Sequence, residues 1–130
     1  MRDLPSDFDW VAERTKCSAA KMFELLKLGA IRNIETINAS GQVKAQIVEP
    51  YSGTFSVIRF SARGDGHPSV RFTLVEDEID VAGQGVEVGF TARLTLNDDG
   101  ECRFLVAGVE LALWQVLRRA LEPLFFRREF

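Results

Sequence analysis

The single histidine of the chain, His67, lies in the segment Gly-Asp-Gly-His-Pro, two residues after Asp65. A histidine near an aspartate on a loop has the residue types for acid–base catalysis. Catalysis also needs a nucleophile, a base and an orienting group that converge on a pocket, and no motif in the sequence supplies that set. Glycine, aspartate and proline are typical of turns. We therefore interpret His67 as a turn residue, predict no catalytic residue, and keep an enzyme that uses Asp65 and His67 as an alternative.

Four carboxylates, Glu76, Asp77, Glu78 and Asp80, form a second group with chemical potential. Carboxylate oxygens are the ligands that Mg²⁺ and Ca²⁺ prefer. The run lacks the spaced aspartates, the glycine and the late glutamate of an EF-hand loop. Charges of this kind commonly protect the end or the edge of a strand. The run therefore predicts a solvated strand end without a metal, and the Glu76–Asp80 carboxylates remain the second version of the enzyme alternative.

The two cysteines, Cys17 and Cys102, lie far apart in the sequence. Cys17 precedes a predicted helix N-cap, Ser18, where the positive end of a helix dipole lowers a thiol pKa and raises reactivity. Cys102 alternates with Phe104 and Val106, which is typical of a small core residue. No C-x-x-C pair and no His–Cys cluster indicates a metal site, and no cofactor is expected. We expect two reduced thiols in a reducing compartment.

The C-terminal segment is apolar around most of its predicted helical circumference, so the other elements of the chain must pack around it. Its apolar residues are Leu111, Leu113, Trp114, Val116, Leu117, Ala120 and Leu121, and its polar strip is Gln115, Arg118, Arg119 and Glu122. An ordinary surface helix carries one apolar stripe, so this helix needs cover on two sides. We predict that the helix begins near Val109 and that Pro123 stops or kinks it.

Apolar surface that the sheet alone cannot cover marks a partner site. The predicted interface consists of Trp114, Leu117, Leu121, Phe125 and Phe126. The function that the sequence favours is therefore a non-enzymatic interaction module that self-associates, most simply as a homodimer, through its C-terminal helix.

Four arginines, Arg118, Arg119, Arg127 and Arg128, accompany these aromatic residues. Basic and aromatic side chains on one segment can contact an anion or a membrane surface. A single short helix with so modest a charge binds such a surface weakly, and arginines that extend to water explain the pattern. Anion or membrane contact is kept as the minor alternative.

The N-terminal part predicts a helix from Ala19, on a face that recurs every three or four residues. That face consists of Ala19, Met22, Phe23, Leu26, Ala30, Ile34 and Ile37. Gly29 inside this pattern predicts a bend or a break, because glycine weakens a helix interior. Residues 7–16 fit both a helix and a strand. We favour a strand, because Ser18 then makes a good N-cap, and keep the helix as the alternative.

After Gly41 the apolar period changes to two, which predicts strands. The clearest strand covers Val86 to Leu96 and ends at a hairpin turn, Asn97 to Gly100. A bulge or turn near Asp77 explains a change of phase there. The sequence thus predicts an α+β fold: a single antiparallel sheet of about five to six strands, packed against an N-terminal and a C-terminal helix.

This order is like that of helix-grip folds, in which a curved sheet holds a C-terminal helix, by analogy of topology. The analogy, the ten phenylalanines and Tyr51 favour, as an alternative function, a small apolar ligand bound between sheet and helix.

The length and the net charge of the chain limit the classes of protein to which it can belong. The 130 residues fit one domain. A net charge of -3 argues against a nucleic-acid module, which needs a strong basic bias. No run approaches the length of a membrane span, and the first residues lack the apolar region of a secretory signal. We expect a soluble cytoplasmic protein.

Overall fold

The computed structural model describes residues 4–61 and 66–127. The helices are α1 (Trp10–Lys16), α2 (Ala19–Ala39) and α3 (Leu113–Phe126). The strands are β1 (Ala45–Tyr51), β2 (Thr54–Arg59), β3 (Ser69–Val75), β4 (Glu78–Gln84), β5 (Gly89–Leu96), β6 (Cys102–Val106) and β7 (Val109–Leu111). The α+β prediction is confirmed: in the parts of the chain that the structure describes, seven strands form one antiparallel sheet in the order of the sequence.

Two tight hairpins raise the strand count above the predicted five to six. Glu76, at φ 56°, and Asp77 form a two-residue turn between β3 and β4 rather than a bulge. Ala107 and Gly108, at φ 50° and 79°, form another between β6 and β7. Ala107 and Gly108 both have positive φ, which gives the twist that a two-residue hairpin needs, whereas in the β3–β4 turn only the first central residue, Glu76, has a positive φ. The chain therefore makes a short seventh strand where we predicted the start of the last helix, and α3 begins at Leu113.

Helices α2 and α3 pack on the same face of the sheet and bury one cluster of apolar side chains. Phe55 and Phe72 are cross-strand partners whose rings stack with centroids 4.6 Å apart, and Phe23 of α2 lies 5.2 Å from Phe55. Burying large aromatic rings contributes most of the hydrophobic stabilisation of such a core. The alternating strand residues and the periodic α2 residues meet here.

The prediction of a bend or break at Gly29 is wrong, because α2 continues through it. A Cβ atom at this position would lie 2.6 Å from Cδ1 of Leu117 and 3.4 Å from Cδ2 of Leu113, both in α3. The glycine therefore allows α3 to approach α2 closely.

The prediction of a strand over residues 7–16 is also wrong, since the chain forms α1. The Asp9 carboxylate accepts a hydrogen bond from the backbone N–H of Ala12 at 3.1 Å and caps this helix. No residue of α1 is buried, so the alternation of apolar and polar residues in this segment does not correspond to a buried face. The predicted N-cap of the next helix is confirmed: Ser18 Oγ accepts from the backbone N–H of Lys21 at 3.1 Å.

The expectation of two reduced thiols is wrong. Cys17, at the junction of α1 and α2, forms a disulfide with Cys102 at the start of β6, with Cα atoms 5.5 Å apart. Cysteines separated by 85 residues give no local signal of their pairing, because only the folded chain brings them together. Disulfides persist mainly in oxidising compartments, so the thiol argument for a reducing compartment no longer holds.

Helix α3 does not stop at Pro123 but continues to Phe126. Beyond the proline, Nη1 of Arg59 donates hydrogen bonds to the backbone carbonyl oxygens of Leu124, Phe125 and Arg127 at 3.0, 3.2 and 3.0 Å. The last carbonyl groups of a helix lack partners within the helix and carry partial negative charge. The guanidinium of Arg59 therefore caps this end and fixes it to β2.

We predict that Arg59→Met lowers the free energy of unfolding by about 2 kcal/mol, because hydrogen bonds from a charged donor to helix-end carbonyls are lost. Urea unfolding of the two proteins measures this loss. Arg59→Lys is the matched control: it keeps the charge without the planar fork, and we expect it to recover only part of the loss. An unchanged urea midpoint for Arg59→Met would contradict the capping role.

Candidate functional site

A surface groove of about 590 Å³ lies between the second half of α2 and the outward face of α3. The α2 wall consists of Arg32, Asn33, Thr36, Ile37 and Ser40, with Gln42 just beyond the helix. The α3 wall consists of Trp114, Leu117, Arg118, Leu121, Glu122, Phe125 and Phe126. All five residues of the predicted interface line this groove.

The structure divides those five residues into two kinds. Trp114 and Phe126 are 59% and 65% exposed, whereas Leu117, Leu121 and Phe125 are buried in the core of their own chain. The buried three therefore contribute to the apolar floor of the groove, and the exposed two are the aromatic side chains available to a partner. Exposed aromatic side chains beside an apolar recess are typical of binding surfaces.

Both ends of α3 are held by specific contacts that position the two exposed aromatic residues. At the N-terminal end, the backbone N–H of Ala112 donates to Oε1 of Gln115 at 2.7 Å, which is half of a capping box. At the other end, Arg59 caps the carbonyl groups next to Phe126. At 1.5 Å per residue, Trp114 and Phe126 lie about 18 Å apart along the helix axis.

Two hydroxyl groups of the polar α2 wall donate hydrogen bonds to backbone carbonyl oxygens of α2. The hydroxyl of Thr36 donates to the carbonyl oxygen of Arg32 at 3.1 Å, and that of Ser40 to Ile37 at 2.6 Å. These groups therefore form a polar rim along an apolar floor, which is the usual anatomy of a protein–protein interface.

The residues of the α2 wall were not among the predicted site residues, although their spacing in the sequence contains a signal. Gly29, Asn33, Thr36 and Ser40 are separated by four, three and four residues, which places them on one side of α2. The glycine marks where another helix approaches, and the residues that follow it on this side line the groove. An interior glycine in a strongly periodic helix thus predicts a helix–helix seam better than a break.

Arg118 and Arg119 make different contacts within the chain. Nε of Arg118 pairs with Oε2 of Glu122 at 3.1 Å, and the guanidinium of Arg119 lies over the ring of Phe90, 5.5 Å from its centroid. The side chain of Arg127 is exposed, and Arg128 lies outside the described residues. Over residues 4–61 and 66–127, no helix is long and apolar enough to cross a membrane. Contact with an anion or a membrane surface stays a prediction.

His67, predicted as a turn residue, connects two backbone segments of its loop. Nδ1 of His67 accepts a hydrogen bond from the backbone N–H of Ser61 at 2.8 Å, and its ring meets Phe60 edge-on with centroids 5.1 Å apart. Asp65 lies outside the described residues. The contacts of His67 are those of a residue that joins the two sides of a loop.

Two of the four carboxylates of the acidic run link neighbouring strands. Oε1 of Glu78 pairs with Nε of Arg93 at 2.8 Å, and Oδ1 of Asp80 accepts from the hydroxyl of Thr91 at 2.9 Å. Glu76 and Asp77 make the hairpin turn. Within the described ranges, no three His, Cys, Asp or Glu side chains are grouped to hold a metal ion.

Two further depressions, of about 560 and 410 Å³, flank α1 and share Trp10 and Arg14. Trp10 is exposed, and the larger depression also reaches Cys17 and the turn residues Glu76 and Asp77. The strand predicted for residues 7–16 does not indicate these depressions, because they depend on the helical form of α1.

Comparison with protein-family models, curated proteins and solved structures found no match to this chain. The groove between α2 and α3, with its apolar floor, its polar rim and the exposed Trp114 and Phe126 at its ends, is therefore the candidate functional site.

Proposed function

We propose that this protein is a non-enzymatic interaction module that forms a homodimer through the groove between α2 and α3. The observation that carries the proposal is the exposure of Trp114 and Phe126 at opposite ends of α3, beside an apolar floor. Tryptophan is enriched among the residues that dominate binding energy at interfaces, and burying both rings removes a large apolar area from water.

A second copy is the partner that this surface fits, because the same helix offers both the projecting rings and the recess beside them. A two-fold interface uses one patch on both subunits, so each patch must complement itself. The polar rim on α2, including Arg32 and Asn33, surrounds the floor as the rim of such an interface does.

Sedimentation equilibrium at micromolar concentration tests the proposal. We expect the wild type to be a dimer and Phe126→Asp to be a monomer, because the substitution places a charge in a desolvated interface. Val109→Asp is the matched control, since Val109 is 54% exposed on β7 and is not among the residues that line the groove. A monomeric wild type, or equal effects of the two substitutions, would contradict the proposal.

A small apolar ligand is the second candidate, because a volume of about 590 Å³ lies in the range of ligand pockets. The groove differs from the predicted ligand site in one respect: it lies between two helices at the surface. Native mass spectrometry of protein purified from its host separates the candidates. A monomer that carries a bound apolar molecule supports the ligand, and a ligand-free dimer supports self-association.

The enzyme alternative gains no support from the contacts. His67 accepts a hydrogen bond from a loop N–H, and Glu78 and Asp80 tie neighbouring strands together. These side chains are each used for structure.

A further inference from the structure

The exposed groove-facing residues of α3 are spaced four apart: Trp114, Arg118, Glu122 and Phe126. All four are exposed, and all four line the groove. Residues four apart form a continuous ridge along a helix surface. The order along this ridge is aromatic, basic, acidic, aromatic.

In the opposite direction along α3, the order of the ridge is aromatic, acidic, basic, aromatic. The two charges are exchanged, and an aromatic ring still lies at each end. An antiparallel copy centred between Arg118 and Glu122 therefore places opposite charges face to face and aromatic rings face to face. A parallel copy in the same register places Arg118 against Arg118 and Glu122 against Glu122, and like charges across an interface oppose association.

We infer that the two copies pair antiparallel along this ridge, so that Trp114 of each copy contacts Phe126 of the other and Arg118 of each pairs with Glu122 of the other. This inference rests on the proposed self-association and adds the partner's register and the four residues that specify it.

The helix geometry permits this pairing. When ridges of residues four apart interdigitate, the two ridges run alongside each other and the helices cross at about 50°, the commonest packing of helices in globular proteins. Arg118 and Glu122 already pair within the chain at 3.1 Å, so the second copy meets an ordered pair of charges. Four alternating charges at the centre would then form a closed network, and the aromatic contacts would flank it.

Engineered crosslinking tests the register. Both native cysteines are held in the Cys17–Cys102 disulfide, so an introduced thiol has no native partner. A mixture of Trp114→Cys and Phe126→Cys should form a covalent heterodimer under mild oxidation, and it keeps one aromatic pair of the interface. Either variant alone should stay uncrosslinked, because identical positions lie about 18 Å apart along antiparallel helices. Val109→Cys mixed with Phe126→Cys is the control for random collisions.

A charge exchange provides the second measurement. Arg118→Glu and Glu122→Arg should each weaken the homodimer by about tenfold or more, because each creates two like-charge contacts. Mixing the two variants should restore dimerisation, since every contact across the heterodimer is then between opposite charges. Both substituted positions are exposed, so the folded core is retained.

The outcomes separate this inference from the proposed function. A monomeric wild type in sedimentation overturns both. A wild-type dimer in which Trp114→Cys or Phe126→Cys crosslinks to itself, or in which neither charge variant weakens association, overturns the antiparallel register and leaves self-association intact. Heterodimer crosslinks together with rescue by mixing support it.

Discussion

Reduction of the Cys17–Cys102 disulfide is expected to lower the free energy of unfolding by about 4.5 kcal/mol, the chain-entropy value for a loop of this length. The bond joins residues separated by 85 positions, so the reduced unfolded chain gains a large conformational freedom that the crosslinked chain lacks. Urea unfolding with and without a thiol reductant measures the difference. For a domain of this size the loss is a large fraction of the total stability.

The double variant Cys17→Ala/Cys102→Ala is the control. Its urea midpoint should match that of the reduced wild type and should not respond to the reductant. Identical midpoints for oxidised and reduced wild type would show that the bond contributes nothing to stability.

Reduction should also release the N-terminal segment before the rest of the molecule unfolds. Helix α1 has no buried residue, and Cys17 lies at its C-terminal end. Few buried contacts imply a low free energy of local opening. Hydrogen exchange of the α1 amides should therefore accelerate on reduction more than exchange in α2, whose Leu26 and Ala30 are fully buried.

The second large effect is expected at adjacent phenylalanines with opposite roles. Phe125→Ala should lower the free energy of unfolding by about 3 to 5 kcal/mol, because it removes a buried ring and leaves a cavity. Phe126→Ala should change stability by less than about 0.5 kcal/mol, since its side chain is largely in water. The exposed fractions, 6% and 65%, decide the assignment.

Each phenylalanine variant is the control for the other, because the chemical change is identical and the positions are neighbours in one helix. Urea unfolding should separate them, and sedimentation equilibrium should show that only the Phe126→Ala variant loses association while keeping its fold. Equal losses of stability would show that the helix end is not oriented as the structure has it. A combined substitution at both positions would mix a folding defect with an interface defect.

Much of the fold was predictable because local patterns in the sequence determine it. The periodic face of α2, with Phe23, Leu26 and Ile34, and its N-cap Ser18 identify that helix without reference to anything distant. The hairpin between β5 and β6 was likewise predicted, and the side-chain oxygen of Asn97 accepts from the backbone N–H groups of Asp99 and Glu101 there.

The structure departs from the sequence predictions where a distant part of the chain determines the local structure. From the sequence alone, a glycine inside a helix predicts a weak point. At Gly29, however, the side chain of Leu117 in another helix occupies the volume that a side chain would fill. A proline likewise predicts the end of a helix. Here, Arg59 donates hydrogen bonds to the backbone carbonyl groups beyond the proline. The pairing of Cys17 with Cys102 has no local signal at all.

By itself, the sequence determined the α+β class, the alternation of the strands and the excess of apolar residues on the last helix, because these follow from side-chain chemistry at fixed periods. Only the tertiary structure decided which of those residues face water: Leu117, Leu121 and Phe125 enter the core, whereas Trp114 and Phe126 do not. The physical reason is that burial depends on what packs against a helix face, and α2 and the sheet cover one side of α3 and leave the ridge on the other exposed.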